Sequence, residues 1–399
     1  MTYARSALAH STMPPEDRRD TSIDILRGLA LLTILINHLS LFCIALGYTG
    51  AVVPTLTHFG YSSAAELFFL VSGYLIGYVY GPWRPEYRWR TCAIRLWMRA
   101  LQLYLVSLLL YAGVVSIAGA FTADQLERLY IEPVVREPAR AFWDFVKMQH
   151  SPPLLDILFV YAIFLIAAPT FVALLKFFPI GAMALPIGLS ILPHLVPDFG
   201  FFARAYGDTT PRGLWNLFSW SLLFFGAMAA GNDRLLPRLR LRAAGHLRTT
   251  WLVALGILIA FTILYVIDSR TAWLDPYFQR MPGTDKALLG PVRLLHMGAV
   301  VAAFMTTLWT FPRLAESVPG RLLQITGAQP LSVFSAGVGL NYVGAALFVH
   351  FGGTGSTYAC VMVMAVSATL ALAGALRYRR SGNSMRPEPL HSNPDLRRR

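Results

Sequence analysis

His38 lies in the middle of the first long apolar run of the chain, RDTSIDILRGLALLTILINHLSLFCIALG. An ionisable side chain at that depth in a bilayer is costly, so it belongs against the protein interior or a wet cavity. There an imidazole serves as a general base or as a transient acyl acceptor. The plainer alternative is a histidine satisfied by an interhelical hydrogen bond. Arg27 stands eleven residues earlier, close to three helical turns, so the two side chains share a face. Glu66, in YSSAAELFFLVSGYLIGYVYG, sits near the outer end of the second apolar run. From there its carboxylate can pair with His38 and orient the ring, or cap the helix in contact with water.

Arg293 and His296 are three residues apart in LLGPVRLLHMGAVVAA and share a helix face. A cation there can hold a carboxylate or an oxyanion, or it can snorkel to the interface. Asp156 follows two prolines in QHSPPLLDILFVY and opens another apolar run, with His150 just before it at the surface. His38, Glu66, Asp156, Arg293 and His296 project to the middle or outer half of the bilayer from four helices. That convergence implies one polar cavity. Asp24 and Arg27 project to the opposite end of the first helix. The sequence lacks GxSxG, HExxH, P-loop and Rossmann fingerprints, which argues against soluble hydrolase, metalloprotease or ATPase chemistry.

The elements that must position these groups are membrane helices. Of 399 residues, 55% are hydrophobic and 14% charged, against about 25% charged in soluble domains. Runs near 25–47, 61–81, 94–120, 154–175, 178–196, 214–231, 250–268, 288–311, 328–349 and 356–376 predict an all-α, polytopic bundle. Each meets the length rule of roughly 20 apolar residues, giving about ten transmembrane helices. No cleavable leader is expected, because the first apolar run is too long and follows a polar stretch.

Net charge is +13, and arginines cluster after the second, sixth and last runs. With ten spans these clusters fall on one side, which the positive-inside rule makes cytoplasmic, with both termini. The excess charge then needs no nucleic-acid partner. The basic segment 121–152 runs against this pattern. Cys43, Cys92 and Cys360 are scattered, so neither a disulfide framework nor a metal site is expected. Residues 1–20 and 380–399 read as polar tails, basic and disordered at the C-terminal end, around one membrane domain at 21–379. Gly73, Gly77 and Gly81 form a small-residue ridge suited to close helix packing.

The segment DILRGLALLTILINH, followed by AAELFFLVSGYLIG, resembles the opening of the membrane acyltransferase superfamily. Closer still, six segments in order resemble the OpgC family. They are RDTSIDILRGLALLTILINH, GYSSAAELFFLVSGYLIG, QHSPPLLDILFVY, WNLFSWSLLFFGAMAAG, VRLLHMG and GAQPLSVFSAGVGL. The resemblance implies a bacterial inner-membrane enzyme that moves succinyl from cytoplasmic acyl-CoA to a periplasmic glucan or another glycan. It implies His38 as base or acyl carrier, and Glu66, Asp156, Arg293 and His296 as its catalytic partners. Arg293 and His296 would face the oxyanion or the succinyl carboxylate. Arg27 and Asp24 would serve the acyl-CoA, and His150, Asn37, Asn216 and Ser332 would bind substrate; the histidines lack metal-ligand spacing, so no metal is expected. Asn37 stands where the family commonly has Asp, and Asn216 where Gln is frequent. A transporter using the same polar cavity is the competing expectation, and a non-catalytic partner of glycan synthesis the third.

Overall fold

The chain is described here by a computed structural model, which defines residues 21–83, 88–196, 204–205, 216–274 and 283–384. The tail at 1–20 and residues 385–399 lie outside the described residues, as does most of the connection at 197–215. The longer helices are α1 (Thr21–Ala45), α2 (Ala64–Tyr80) and α3 (Trp89–Ala118). Three short helices follow: α4 (Ala123–Arg128), α5 (Glu132–Arg136) and α6 (Pro138–Val146). Then come α7 (Asp156–Phe177), α8 (Pro179–Leu195), α9 (Leu217–Asn232), α10 (Leu235–Ala243) and α11 (Leu247–Leu274). The last five are α12 (Pro291–Thr310), α13 (Arg313–Glu316), α14 (Val318–Gly327), α15 (Pro330–His350) and α16 (Gly355–Ser384). Strand content among the described residues is one parallel pairing of His150–Ser151 with Arg204–Ala205.

Proline sets several of the helix starts. It opens α6, α8, α12 and α15, where its missing N–H costs nothing. Asp156 and Glu66 sit in the first turns of α7 and α2, where the positive end of the helix dipole favours a carboxylate.

Among the described residues, seven stretches are long and apolar enough to cross a membrane. They are Thr21–Ala45, Trp89–Ala118, Asp156–Phe177, Leu235–Ser269, Pro291–Thr310, Pro330–His350 and Gly355–Arg379. The chain is therefore an integral membrane protein. Its outward faces agree: Leu101, Leu105 and Leu109 on α3 and Ile257, Ile259 and Ile263 on α11 are exposed. A soluble protein would not leave so continuous an apolar surface uncovered. Three further apolar helices, α2, α8 and α9, have 17, 17 and 16 residues. At about 1.5 Å per residue they stop just short of a hydrocarbon core about 30 Å thick.

These shorter helices pack against one another. A Cβ at Gly73 or Gly77 would strike the backbone carbonyl of Phe224 or Met228 on α9, and one at Gly231 would strike that of Tyr74. The glycine ridge is thus the surface along which α2 and α9 meet, backbone to backbone. Gly28 does the same for α1 against Leu323 of α14, while Gly327 of α14 leaves room for the Asp24 carbonyl. Gly77→Leu is expected to destabilise the protein by at least about 1–3 kcal/mol, because a backbone carbonyl cannot move aside as a side chain can. A thermal melt of the purified protein in detergent tests this, and an unchanged midpoint would contradict the packing described.

The basic stretch that ran against the charge pattern neutralises much of its own charge. Arg128 pairs with Asp124, Arg136 with Glu132, and Arg140 with Glu137 and Asp144, all within one helical turn or so. Its short helices bury Leu129, Ile131 and Phe145 against the bundle.

Candidate active site

The apolar register of α1 buries Leu31, Ile34, Leu35 and Leu39 and carries Asn37 and His38 on the same helix, half-buried. His38 opens into a cavity of about 450 Å³ enclosed by α1, α2, α7 and α15 and by the loop before α12. Its polar lining includes Asn37, Ser63, Asp156, Lys286 and Asn341, with Arg128 also lining it from the end of α4. Among the described residues the His38 imidazole makes no hydrogen bond, so the ring is left available to a ligand. Asn37 is otherwise engaged. It donates to Thr57 Oγ1 at 2.6 Å and accepts from Thr55 Oγ1 at 2.7 Å, which ties the loop before α2 to α1.

Glu66 and Arg293 meet, but not at His38. Oε1 of Glu66 accepts from Arg293 Nε at 3.0 Å, from Arg293 Nη2, and from Ser63 Oγ at 3.2 Å. Glu66 is 1% exposed and Arg293 9%. The expected Glu66–His38 pairing is therefore replaced by a buried ion pair that joins α2 to α12. Arg293 Nη1 also donates to the carbonyl of Thr284 at 3.4 Å, so the pair fixes the loop that leads into α12.

That loop is tightly folded. Asp285 Oδ1 accepts from the Leu288 amide at 2.7 Å, and the amides of Gly290 and Val292 donate back to Asp285 and Gly283. It carries Lys286 into the cavity. Burial pushes the Lys286 ammonium below the usual lysine range; the Glu66 carboxylate opposes this, Arg293 adds to it, and Asp156 opposes it again.

His296, one turn beyond Arg293, faces a different surface. Its Nδ1 accepts from the Ser62 amide at 3.2 Å and lies 2.6 Å from Ser62 Oγ. Gly60 lies so close that a Cβ there would meet the ring. Tyr61 and Phe261 contact it edge-on. Because Nδ1 accepts a backbone N–H, the proton of the neutral ring sits on Nε2. His296 thus holds the loop before α2 and does not line the His38 cavity.

The remaining expected site residues are dispersed. Asp156 (3% exposed) lines the cavity at the start of α7. His150 is exposed in the short strand beside Arg204, and Ser332 is exposed on α15. Asn216 is fully buried and caps α9, its Oδ1 accepting from the amides of Phe218 and Ser219 at 3.1 Å each.

At the other end of α1, Arg27 pairs with Asp24 at 3.0 Å, and its Nε donates to the Gly327 carbonyl of α14. Arg27 lines a second and larger cavity, of about 1080 Å³, together with Arg95, Arg99, Arg234 and Arg240. Tyr74, Tyr78, Tyr80 and Tyr161 add aromatic surface to it. Five guanidinium groups around one cavity suit a polyanion.

The OpgC protein family matches residues 19–381. The chain belongs to the OpgC family. No curated protein and no solved structure matches it. For an OpgC protein the informative feature is that α1 borders both cavities, with Arg27 on one and His38 on the other. Ser63, Lys286 and Asn341 of the His38 cavity escaped the sequence reading. Lys286 lies in a polar connection, where a lysine reads as solvated. Asn341 interrupts the apolar run GVGLNYVGAALF, and an amide in such a run was a usable signal.

Proposed function

We propose that the chain is a membrane O-acyltransferase. It takes an acyl group, succinyl on the strength of its family, from acyl-CoA in the cytoplasm to a hydroxyl of a glucan on the opposite face. The observation that carries this reading is the sharing of α1 between the arginine-lined cavity and the His38 cavity. Eleven residues at 1.5 Å each put His38 about 16 Å along the axis from Arg27. A pantetheine arm spans a distance of that order.

In this reading Arg27, Arg95, Arg99, Arg234 and Arg240 hold the CoA phosphates, with Asp24 fixing the Arg27 guanidinium. The thioester reaches the His38 cavity. His38 takes the proton of the acceptor hydroxyl as its oxygen attacks the thioester carbon. The C–O bond forms and the C–S bond breaks. The thiolate leaves with the proton returned from His38, so free CoA and an ester result. Asp156 and Asn37 border the cavity on the side from which the acceptor arrives. Arg293, Glu66 and His296 act at one remove, by holding the loops that carry Ser63 and Lys286.

In this reading the seven long stretches and the shorter α2, α8 and α9 make ten crossings, an even number that supports both ends of the membrane domain lying on one side. Arg90, Arg95 and Arg99 at the start of α3, with Arg234, Arg238, Arg240 and Arg242 around α10, make that side cytoplasmic. Membership of the OpgC family supports the bacterial inner membrane as the location.

The test is transfer of labelled succinyl from succinyl-CoA to glucan by the purified protein in liposomes. Arg99→Ala and Arg240→Ala are each expected to raise the KM for acyl-CoA several-fold with little change in kcat, since they act on binding. Loss of kcat without a change in KM would place the CoA elsewhere.

A further inference from the structure

Tyr130 stands just past the end of α4, at a place that glycine would fill with less strain. The Ile131 amide donates to the Leu126 carbonyl and the Tyr130 amide to that of Glu127, both at 2.9 Å. This pair of bonds is a Schellman cap, and it holds Tyr130 at a φ of 55°. Glycine is the usual residue there, because a Cβ is crowded in the left-handed region. The cap cannot relax easily, since Leu126, Leu129 and Ile131 around it are buried. Tyr130 itself is 54% exposed, so packing of its ring does not offset the strain. Together with Leu129 and Arg128 it lines the His38 cavity, and its exposure puts it at the rim. Leu154, a second non-glycine residue at positive φ (75°), lines the same cavity. Strained backbone thus gathers around this cavity, as it does at binding and catalytic sites.

A sugar acceptor must be held with one hydroxyl turned toward His38. A pyranose carries its hydroxyls around its edge and presents C–H bonds on its faces. The negative face of an aromatic ring attracts those C–H bonds, and a tyrosine on a fixed turn offers such a face at little entropic cost. Beside it the Arg128 side chain, 52% exposed and paired with Asp124 at 2.8 Å, keeps further guanidinium N–H groups for hydroxyls at the sugar edge. We propose that Tyr130, with Arg128 at its edge, forms an acceptor subsite at the rim of the His38 cavity, where one sugar ring of the glucan stacks on the tyrosine. This rests on the acyl-transfer reading of the same cavity, in which the connection between α3 and α7 lies on the outer side. A tyrosine serving only as an anchor at the membrane interface needs neither a strained cap nor a place on the cavity wall. A ring seated there restricts which hydroxyl reaches the imidazole, so the subsite orients the acceptor as well as binding it.

The experiment uses the full chain in mixed micelles, where both faces are open, and compares wild type, Tyr130→Gly and Tyr130→Phe. Loss of the ring in Tyr130→Gly raises the KM for glucan by about 3–10-fold, the range a stacked contact represents. The KM for succinyl-CoA stays at the wild-type value. The thermal midpoint stays level or rises, because glycine relieves the cap. Tyr130→Phe keeps the aromatic face and stays near wild type. An unchanged KM for glucan in Tyr130→Gly would overturn the subsite. So would a loss in Tyr130→Phe as large as that in Tyr130→Gly, which would assign the effect to the hydroxyl. A lower midpoint with equal losses toward both substrates would overturn it as well, since the ring would then be a packing element. Binding is read separately, so that failure of transfer and failure of the subsite remain distinct. Glucan raises the thermal midpoint of the wild type, mannitol (an open-chain polyol with no ring face) does not, and Tyr130→Gly abolishes the glucan shift. A glucan shift that is absent from the wild type, or equal in wild type and Tyr130→Gly, would overturn the subsite whether or not transfer is seen.

Discussion

His38→Ala is expected to lower acyl transfer by about 10²–10⁴-fold, the usual contribution of a positioned general base. Stability is expected to change little, because the imidazole has no protein hydrogen bond to lose among the described residues and faces a cavity. Affinity for acyl-CoA is expected to persist, since the arginine cavity lies at the other end of α1. Measured together, these three quantities distinguish chemistry from packing. A His38→Ala protein with full transfer would remove His38 from the mechanism. A protein that simply fails to fold would show that the ring is a packing element after all.

The second large effect concerns Glu66 and Arg293. Each is buried, and each is the other's charge partner. Removing one leaves an uncompensated charge in an apolar bundle, so Glu66→Ala and Arg293→Ala are each expected to cost about 3–5 kcal/mol. Replacing both by apolar residues of similar size, as in Glu66→Leu with Arg293→Met, is expected to recover much of that loss. Activity is not expected to return with it. The double variant still lacks the Arg293–Thr284 bond that seats the Lys286 loop. Unfolding in mixed micelles and transfer rate on the same samples test the two halves of this statement. Additive losses in the double variant would mean that the pair is not a coupled unit.

Much of the fold could be read from the sequence because membrane helices declare themselves by length and apolarity. Every apolar run read from the sequence has a helix in the structure, including the neighbouring α7 and α8, separated by Phe178 alone. The glycine ridge on α2 also read correctly as a packing surface, because small residues at a spacing of four have few other uses in such a helix. The site was only half legible. His38 stood out because an imidazole inside a long apolar run is expensive. Glu66 and Arg293 stood out for the same reason, but depth alone does not say which buried charge meets which. Their partnership links positions 227 residues apart, and no local spacing encodes it. Asn216 illustrates the opposite error of emphasis. Its position just before an apolar helix, in NLFS, is the pattern of an N-cap, and that is where the structure uses it. His296 reads from sequence as a partner of Arg293 on one helix face, yet one turn of helix carries it to Ser62 rather than to the cavity.

The most direct test of the central claim is a sidedness measurement. Protein is reconstituted in liposomes that enclose glucan, labelled succinyl-CoA is added outside, and label on the enclosed glucan is counted with and without His38→Ala. The expected result is label on the enclosed glucan with wild type, none with His38→Ala, and none on the enclosed glucan when succinyl-CoA is omitted. Label that enters the vesicles as intact succinyl-CoA or free succinate, with no ester on the glucan, would contradict transfer across the bundle and identify the protein as a transporter instead.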